Sequence, residues 1–260
     1  MYSKGVGVPQ DLSKAAQWFA KAAYQDFDLG EFNLGVMYYS GKGVSQDYVK
    51  AVEWYTKAAY QDFAPAEYNL GYMYSTGEGV TQDFTKAVDY FTKAANKKHK
   101  KAEYNLGRMY YKGEGVAQDY ALAIKWFSKA ANQGFVQAQY CLGSMNEQGL
   151  GTPKNYHKAI KWYSKAVKQN YAPAEYNLAS MYYEGEGVTK DYSKAISLYT
   201  MAADQGDSHS EYFLGVIYYE GIGVEKNEAK GIELYTKAAK AGNIQAKNAL
   251  LLLNKKLPKK

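Results

Sequence analysis

Pro65-Ala-Glu-Tyr-Asn-Leu-Gly-Tyr-Met-Tyr-Ser-Thr76, running into Gly77-Glu-Gly79 and then Asp83 to Asn96, decides how this chain folds. Ala66, Leu70, Met73 and Tyr74 recur at helical spacing, and Pro65 suits a first turn, where no partner awaits its missing N–H. Gly77 and Gly79 permit a left-handed helix end and a tight reversal. Asp83 stands where a carboxylate satisfies free backbone N–H groups, ahead of the apolar series Ala87, Tyr90, Phe91 and Ala94. A short link, Asn96 to Lys100, returns the chain. The stretch predicts a helix pair, helix A over 65–76 and helix B after Asp83.

The pair is one of a series. Gly-x-Gly recurs at Gly41/Gly43, Gly77/Gly79, Gly113/Gly115, Gly149/Gly151, Gly185/Gly187 and Gly221/Gly223, always 36 residues apart, and Gly5/Gly7 extends it to seven copies. Leu34, Leu70, Leu106, Leu142, Leu178, Leu214 and Leu250 keep the same register, as do Ala22 through Ala238. Helices of about twelve residues are marginal alone because nucleation is costly, so each unit must stack on its neighbours. Mid-helix Gly35, Gly71, Gly107, Gly143 and Gly215, where Gly costs roughly 1 kcal/mol against Ala, predict that another helix approaches too closely for a side chain.

The predicted fold is all-α, a right-handed superhelical α/α solenoid of 36-residue repeats forming a single domain over 1–260. Met1 falls in the column of Met37, Met73, Met109, Met145 and Met181, so residues 1–28 read as a partial first repeat, the end of a helix A plus a helix B. Six complete repeats follow over 29–244, then a lone capping helix over 245–254 and a basic tail over 255–260.

Ala66-x-x-x-Leu70-Gly71-x-x-Tyr74-x-x-Gly77-x-Gly79-Val80, followed by Asp83-x-x-Lys86-Ala87-x-x-Tyr90-Phe91-x-Lys93-Ala94-Ala95, resembles the Sel1-like repeat, a relative of the tetratricopeptide repeat with a slightly longer loop. The resemblance spans nearly the whole chain. It implies an adaptor or scaffold that binds a protein or peptide, as members in endoplasmic-reticulum degradation and among bacterial exported factors do. The single Cys141 sets the chain apart from the family's cysteine-rich branch. Copy four departs furthest, with Cys141 for Asn, Asn146 for Tyr, Thr152 for Val and Asn155 for Asp, which implies relaxed packing or a specialised surface. Ala179 replaces the helix-A Gly in copy five and is expected to push its neighbour slightly outward.

An apolar fraction of 47% and a charged fraction of 22% belong to a folded chain with a real core. One cysteine excludes an intramolecular disulfide. No run of 18 apolar residues exists, so no membrane insertion is expected, and Met1 to Gln10 lacks the apolar core of a signal peptide. A start inside a repeat is compatible with a lost leader and a bacterial periplasmic or secreted origin, and otherwise with the cytoplasm. The formal charge of +6 is modest, and Lys57, Lys93, Lys129, Lys165 and Lys237 alternate with Glu53 and Asp89 as on a solvated outer face, so no nucleic-acid partner is expected. His99, His157 and His209 fall at unrelated repeat positions and are read as solvated, giving no metal site. None of the glycine loops extends to G-x-G-x-x-G, no Ser-x-x-Lys occurs, and no nucleophile–base pair is evident. No cofactor and no catalytic residue are expected.

The 28 tyrosines need an address. Tyr74, Tyr110, Tyr182 and Tyr218, with Tyr55, Tyr163, Tyr199 and Tyr235, sit in core columns. Phe32, Tyr68, Tyr104, Tyr140, Tyr176 and Tyr212 match the helix-A column that faces the concave groove in the similar tetratricopeptide fold. Tyr72 and Arg108 stand one turn further on, in a column shared with Val36, Ser144, Ser180 and Val216; Tyr39, Tyr111, Glu147, Tyr183 and Tyr219 lie near the helix end. A ladder of this kind suits recognition, because Tyr offers apolar area and a hydroxyl at low entropic cost. The first column alternatively packs against the next helix A. The residues therefore predict a noncatalytic scaffold gripping a peptide or partner protein; the alternatives are an inhibitor or immunity-type protein that neutralises one toxin or enzyme and, last, a hydrolase.

Overall fold

The structure, a computed structural model, describes residues 1–3 and 5–256. Among them are fourteen α-helices and no strand, each helix 12 or 13 residues long. The chain divides into two compact units. Met1–Phe135 holds α1 (Leu12–Ala23), α2 (Asp28–Ser40), α3 (Tyr48–Tyr60), α4 (Ala64–Thr76), α5 (Phe84–Asn96), α6 (Lys100–Lys112) and α7 (Tyr120–Asn132). Val136–Lys260 holds α8 (Val136–Gln148), α9 (Tyr156–Val167), α10 (Ala172–Glu184), α11 (Tyr192–Asp204), α12 (Ser208–Glu220), α13 (Glu228–Lys240) and α14 (Ile244–Lys256). Even-numbered helices are helix A, odd-numbered ones helix B.

The same caps recur in each repeat. Asp11, Asp47, Asp83 and Asp191 accept from the backbone N–H three residues on, and Asn155 does so for Lys158 at 2.9 Å, so the irregular fourth copy keeps its cap. Helix A ends on a left-handed glycine, Gly77 at φ +80°, whose N–H donates to Met73 O at 2.8 Å. The second glycine of the loop serves packing: a Cβ on Gly79 would stand 2.5 Å from Tyr48 O, at the start of the preceding helix B. At the N-terminus, Tyr2 and Ser3 lie in a turn. Gly5 N still donates to Met1 O and Asp11 N to Tyr2 O, the bonds that close later repeats.

The core is a column of small residues and rings. A Cβ on Gly35, Gly71, Gly107, Gly143 or Gly215 would lie 2.5–2.7 Å from the ring of Tyr55, Phe91, Phe127, Tyr163 or Tyr235, so each glycine receives an aromatic face from helix B. Leu70, Leu106, Met73 and Phe91 are sealed between successive helices of the first unit; burying each contributes about 2 kcal/mol. Opposite Ala179, Tyr199 is fully buried. It meets the Tyr176 ring at 54° where the corresponding pairs of the four earlier repeats stand at 39° to 44°. The capping helix runs over 244–256, and residues 257–260 of the expected basic tail lie outside the described residues.

Candidate binding surface

The first aromatic column of helix A is half-buried and wedged between rings. Phe32 meets Tyr55 at 5.8 Å and Phe63 at 5.2 Å; Tyr68 meets Phe91 at 5.9 Å and His99 at 4.7 Å; Tyr104 meets Phe127 at 5.7 Å and Phe135 at 5.0 Å. In the second unit Tyr140 packs on Tyr163 and Tyr171, Tyr176 on Tyr199, His209 and Phe213, and Tyr212 on Tyr235. Each ring thus touches the helix B of its own repeat and, in most repeats, the residue that opens the next helix A. Burial lifts the Tyr68, Tyr140 and Tyr176 hydroxyls above the usual phenol range.

The other two columns differ in exposure. Tyr72 and Arg108 are exposed. Tyr39, Tyr111 and Tyr183 lie over the first residue of the following helix B, Tyr48, Tyr120 and Tyr192, at 5.3–5.5 Å. Tyr219 sits 6.1 Å from Tyr235. The Tyr39 hydroxyl also donates to Glu78 Oε2 at 2.8 Å; burial and that carboxylate hold it in the protonated form. Glu147, where four other repeats carry Tyr and one Ser75, accepts instead from the Tyr163 hydroxyl at 2.5 Å, while Asn177 Nδ2 donates to the same oxygen at 2.9 Å.

In the first unit these residues frame two adjoining hollows that share Tyr72. One, of about 260 Å³, is lined by Val36, Tyr39, Tyr55, Tyr68, Asn69, Tyr72 and Met73. The other, of about 290 Å³, lies against Phe84, Phe91 and Met109 and carries Ser75, Thr76, Asn105, Arg108, Lys112 and Glu114 at its polar side. The structure brings Tyr39, Tyr68 and Tyr72 together on the first, and Tyr72 and Arg108 on the second. The first hollow is an apolar recess with Asn69 and tyrosine hydroxyls as its polar groups.

Two features escaped the sequence reading. Glu31, Glu67, Glu103, Gln139, Glu175 and Glu211 are almost wholly buried in the first turn of helix A. Five of them bond a residue 30 positions on, Glu31 to Gln61, Glu67 to Lys97, Glu103 to Gln133, Gln139 to Gln169 and Glu175 to Gln205, and Glu211 pairs with Lys237 at 2.8 Å. The signal was the recurrence of both columns in one register. The second is His99, read as solvated and found half-buried: it caps α6, accepting from Ala102 N at 3.3 Å, and packs on Tyr68. Burial pushes its imidazole below the ordinary histidine range. His157 and His209 are exposed. On the outer face Lys57, Lys129 and Lys165 lie 4.0–4.1 Å over the rings of Trp54, Trp126 and Trp162. Among the described residues no group of three metal-ligating side chains converges, and no helix is long and apolar enough to cross a membrane.

Helix pairs repeated every 36 residues, stacked through a shared core, define the class: a helical-repeat solenoid of the tetratricopeptide type. The profile of the Sel1 repeat matches residues 1–27, 29–63, 64–99, 100–135, 136–171, 172–207 and 208–243, and the chain belongs to the Sel1 repeat family. Sel1 repeat proteins typically mediate protein–protein interaction and are generally noncatalytic scaffolds. A protective antigen of uropathogenic Escherichia coli, c5321, is similar at 38% identity and a TM-score of 0.94; the match covers 98% of this chain and 55% of that one, so this chain spans about half its length. A Sel1 repeat protein from Oxalobacter formigenes is similar at 34% identity and a TM-score of 0.81, over 97% of this chain and 73% of that one. Yeast Tom70, at 15% identity and a TM-score of 0.51 over 95% of this chain and 53% of its own, shares the fold alone. No curated protein matches the sequence.

Proposed function

We propose that this chain is a noncatalytic binding scaffold that seats a peptide or a helix of a partner protein against its helix-A tyrosines. One observation carries the reading: Tyr72 stands 39% exposed at two adjoining hollows, the first walled mainly by aromatic and apolar side chains and the second by Phe84, Phe91 and Met109 with a polar side. A large ring left in water beside an unfilled apolar recess stabilises a complex when covered, because burying its area contributes favourably and its hydroxyl retains a polar contact. Tyr39, Tyr68, Tyr104, Arg108 and Tyr111 belong to the same face of the first unit by repeat register, and Phe32, Tyr140, Glu147, Tyr176, Tyr183, Tyr212 and Tyr219 occupy equivalent positions in other repeats.

Photocrosslinking tests the assignment. A benzophenone amino acid at position 72 is expected to trap a discrete partner in cells of the source organism, whereas the same probe at Lys57, on the outer helix-B face, is not. Equal trapping at both positions, or none at position 72 while the protein remains folded, would remove the groove assignment.

A further inference from the structure

The turn from α5 to α6 reads Lys97-Lys98-His99-Lys100-Lys101, five basic residues in a row where the same turn elsewhere reads Gln61-Asp-Phe-Ala-Pro65 or Gln169-Asn-Tyr-Ala-Pro173. His99 falls in the column of Phe27, Phe63, Phe135, Tyr171, Asp207 and Asn243, which open the other helices A. That column has two solutions. Phe63, Phe135 and Tyr171 stack on the aromatic ring of the preceding helix A at 5.0–5.6 Å, and Phe63 and Tyr171 make no side-chain cap. Asp207 and Asn243 cap their helices instead, accepting from Ser210 N at 2.7 Å and from Ala246 N at 2.9 Å.

His99 does both with one ring. It packs on Tyr68 at 4.7 Å, and its Nδ1 accepts from Ala102 N at 3.3 Å. Only the neutral imidazole can hold this arrangement, because accepting uses the Nδ1 lone pair and leaves the ring proton on Nε2. A proton on Nδ1 would face the Ala102 N–H donor to donor, and the ring would have to turn away from Tyr68. The surroundings oppose that proton as well. Half-burial penalises the charged ring, and Lys101 adds repulsion. Lys98 and Lys100 flank it, and among the described residues only Lys97 of the four lysines is ion-paired, with Glu67 and Asp62. Glu103, the carboxylate in the first turn of α6, is bonded to Gln133. An imidazolium is attracted to the Tyr68 face, but that attraction does not offset burial and repulsion.

We propose that His99 is a proton-operated latch on the start of α6. Neutral, it fastens the first turn of α6 to Tyr68 of α4; protonated in mild acid, it releases both, and that turn loosens beside a third hollow of the first unit, bordered by Tyr68, Lys98 and Lys101. A histidine held below its ordinary range when folded contributes stability above its unfolded value, and the contribution is lost as pH falls through the folded one. Tyr68 also walls the first hollow, so release of the latch alters the candidate surface. The latch needs no guest and is independent of the binding-scaffold reading.

Nuclear magnetic resonance on the full chain tests the latch. The His99 imidazole is expected to titrate below free histidine. Across that titration the amides of Glu103 and Tyr104 are expected to lose exchange protection several-fold, while those of the equivalent Glu67 and Tyr68 keep theirs. His99→Phe, the residue of the equivalent Phe63 and Phe135, keeps the stack and removes the titrating ring. Its urea midpoint is expected to fall less than that of the wild type between pH 7.5 and about pH 5, a window that spans the ordinary histidine value. His99→Asn, the residue of the equivalent Asn243, keeps a cap that does not titrate and is expected to show the same reduced pH dependence. Titration of His99 at or above free histidine, unchanged protection at Glu103 and Tyr104, or the same loss of midpoint in the wild type and both variants would overturn the latch.

Discussion

Lys97 Nζ lies 2.5 Å from Glu67 Oε1, joining the residue that caps the C-terminus of α5 to a carboxylate only 1% exposed in the first turn of α4. Asp62 takes a second contact from the same amine at 3.1 Å, and the other Glu67 oxygen has no hydrogen-bond partner. The lysine is still one-third exposed, so its own desolvation is modest while that of the glutamate is nearly complete. Removing the cation leaves a buried charge without compensation. Lys97→Met is expected to lower stability by about 2 kcal/mol, read from the urea midpoint. Lys97→Gln should recover most of the loss, since Gln61, Gln133, Gln169 and Gln205 serve the same column.

Glu103 carries the opposite imbalance. Burial raises its carboxyl above the usual range, and the Gln133 amide at 2.7 Å only partly restores it. A carboxyl whose folded pKa exceeds its unfolded one binds more protons when folded, so its contribution falls as pH rises through that window and is lost above it. Glu103→Gln, which copies the Gln139–Gln169 pair, is therefore expected to raise the melting temperature at pH 7.5, with the advantage shrinking toward pH 4. An equal gain at both pH values would show that titration is not the cause.

The helix-B caps titrate in the other direction. The backbone N–H of Lys86 holds the Asp83 carboxyl below the usual aspartate range, and Asp11, Asp47 and Asp191 are lowered in the same way. A depressed folded pKa gives stability that is present above the unfolded value and lost as pH falls through the folded one. Asp83→Asn keeps the acceptor, as Asn155 and Asn227 do, and removes the titrating carboxyl. It should flatten the acid limb of the stability curve below about pH 4, measured by circular dichroism.

The glycines separate two effects that sequence inspection merges. Gly79 and Gly134 both have left-handed backbones, at φ +71° and +79°, but a Cβ at Gly79 would strike Tyr48 O whereas one at Gly134 meets nothing within 4 Å. Gly134→Ala should cost about 1 kcal/mol, from the backbone alone. Gly79→Ala should cost about 3 kcal/mol, because main chain must also move. Similar midpoints for the two variants in urea would contradict the packing role of the second loop glycine.

How much was readable beforehand follows from what repetition encodes. Columns of Gly, Leu and Ala at a fixed period place helices, loops and core, and α4 begins one residue before the helix expected at Pro65. Charge escaped the reading where it is paired out of sight: nothing near Glu67 in sequence points to its partner Lys97, 30 positions away. His99 reads as loop because nothing in its neighbours reveals a cap. The direction of Tyr68 was undecidable from spacing, since one face of its ring packs on Phe91 and His99 while it also lines a hollow.

The turn from helix B to the next helix A offers a last test. Its left-handed position is Gly134, Gly206 and Gly242 in three repeats and Asp26, Asp62, Lys98 and Asn170 in the others. Asp and Asn tolerate that conformation through local hydrogen bonding, but lysine has no such compensation, and Lys98 sits at φ +61°. Its strain of about 1–2 kcal/mol exceeds the extra unfolded-state entropy of glycine, about 0.5–1 kcal/mol. Lys98→Gly should therefore stabilise the protein by about 0.5 kcal/mol, while Asn170→Gly should be close to neutral. A destabilised Lys98→Gly would mean that the lysine side chain, which borders the third hollow of the first unit together with His99 and Lys101, makes a contact worth more than the strain it carries.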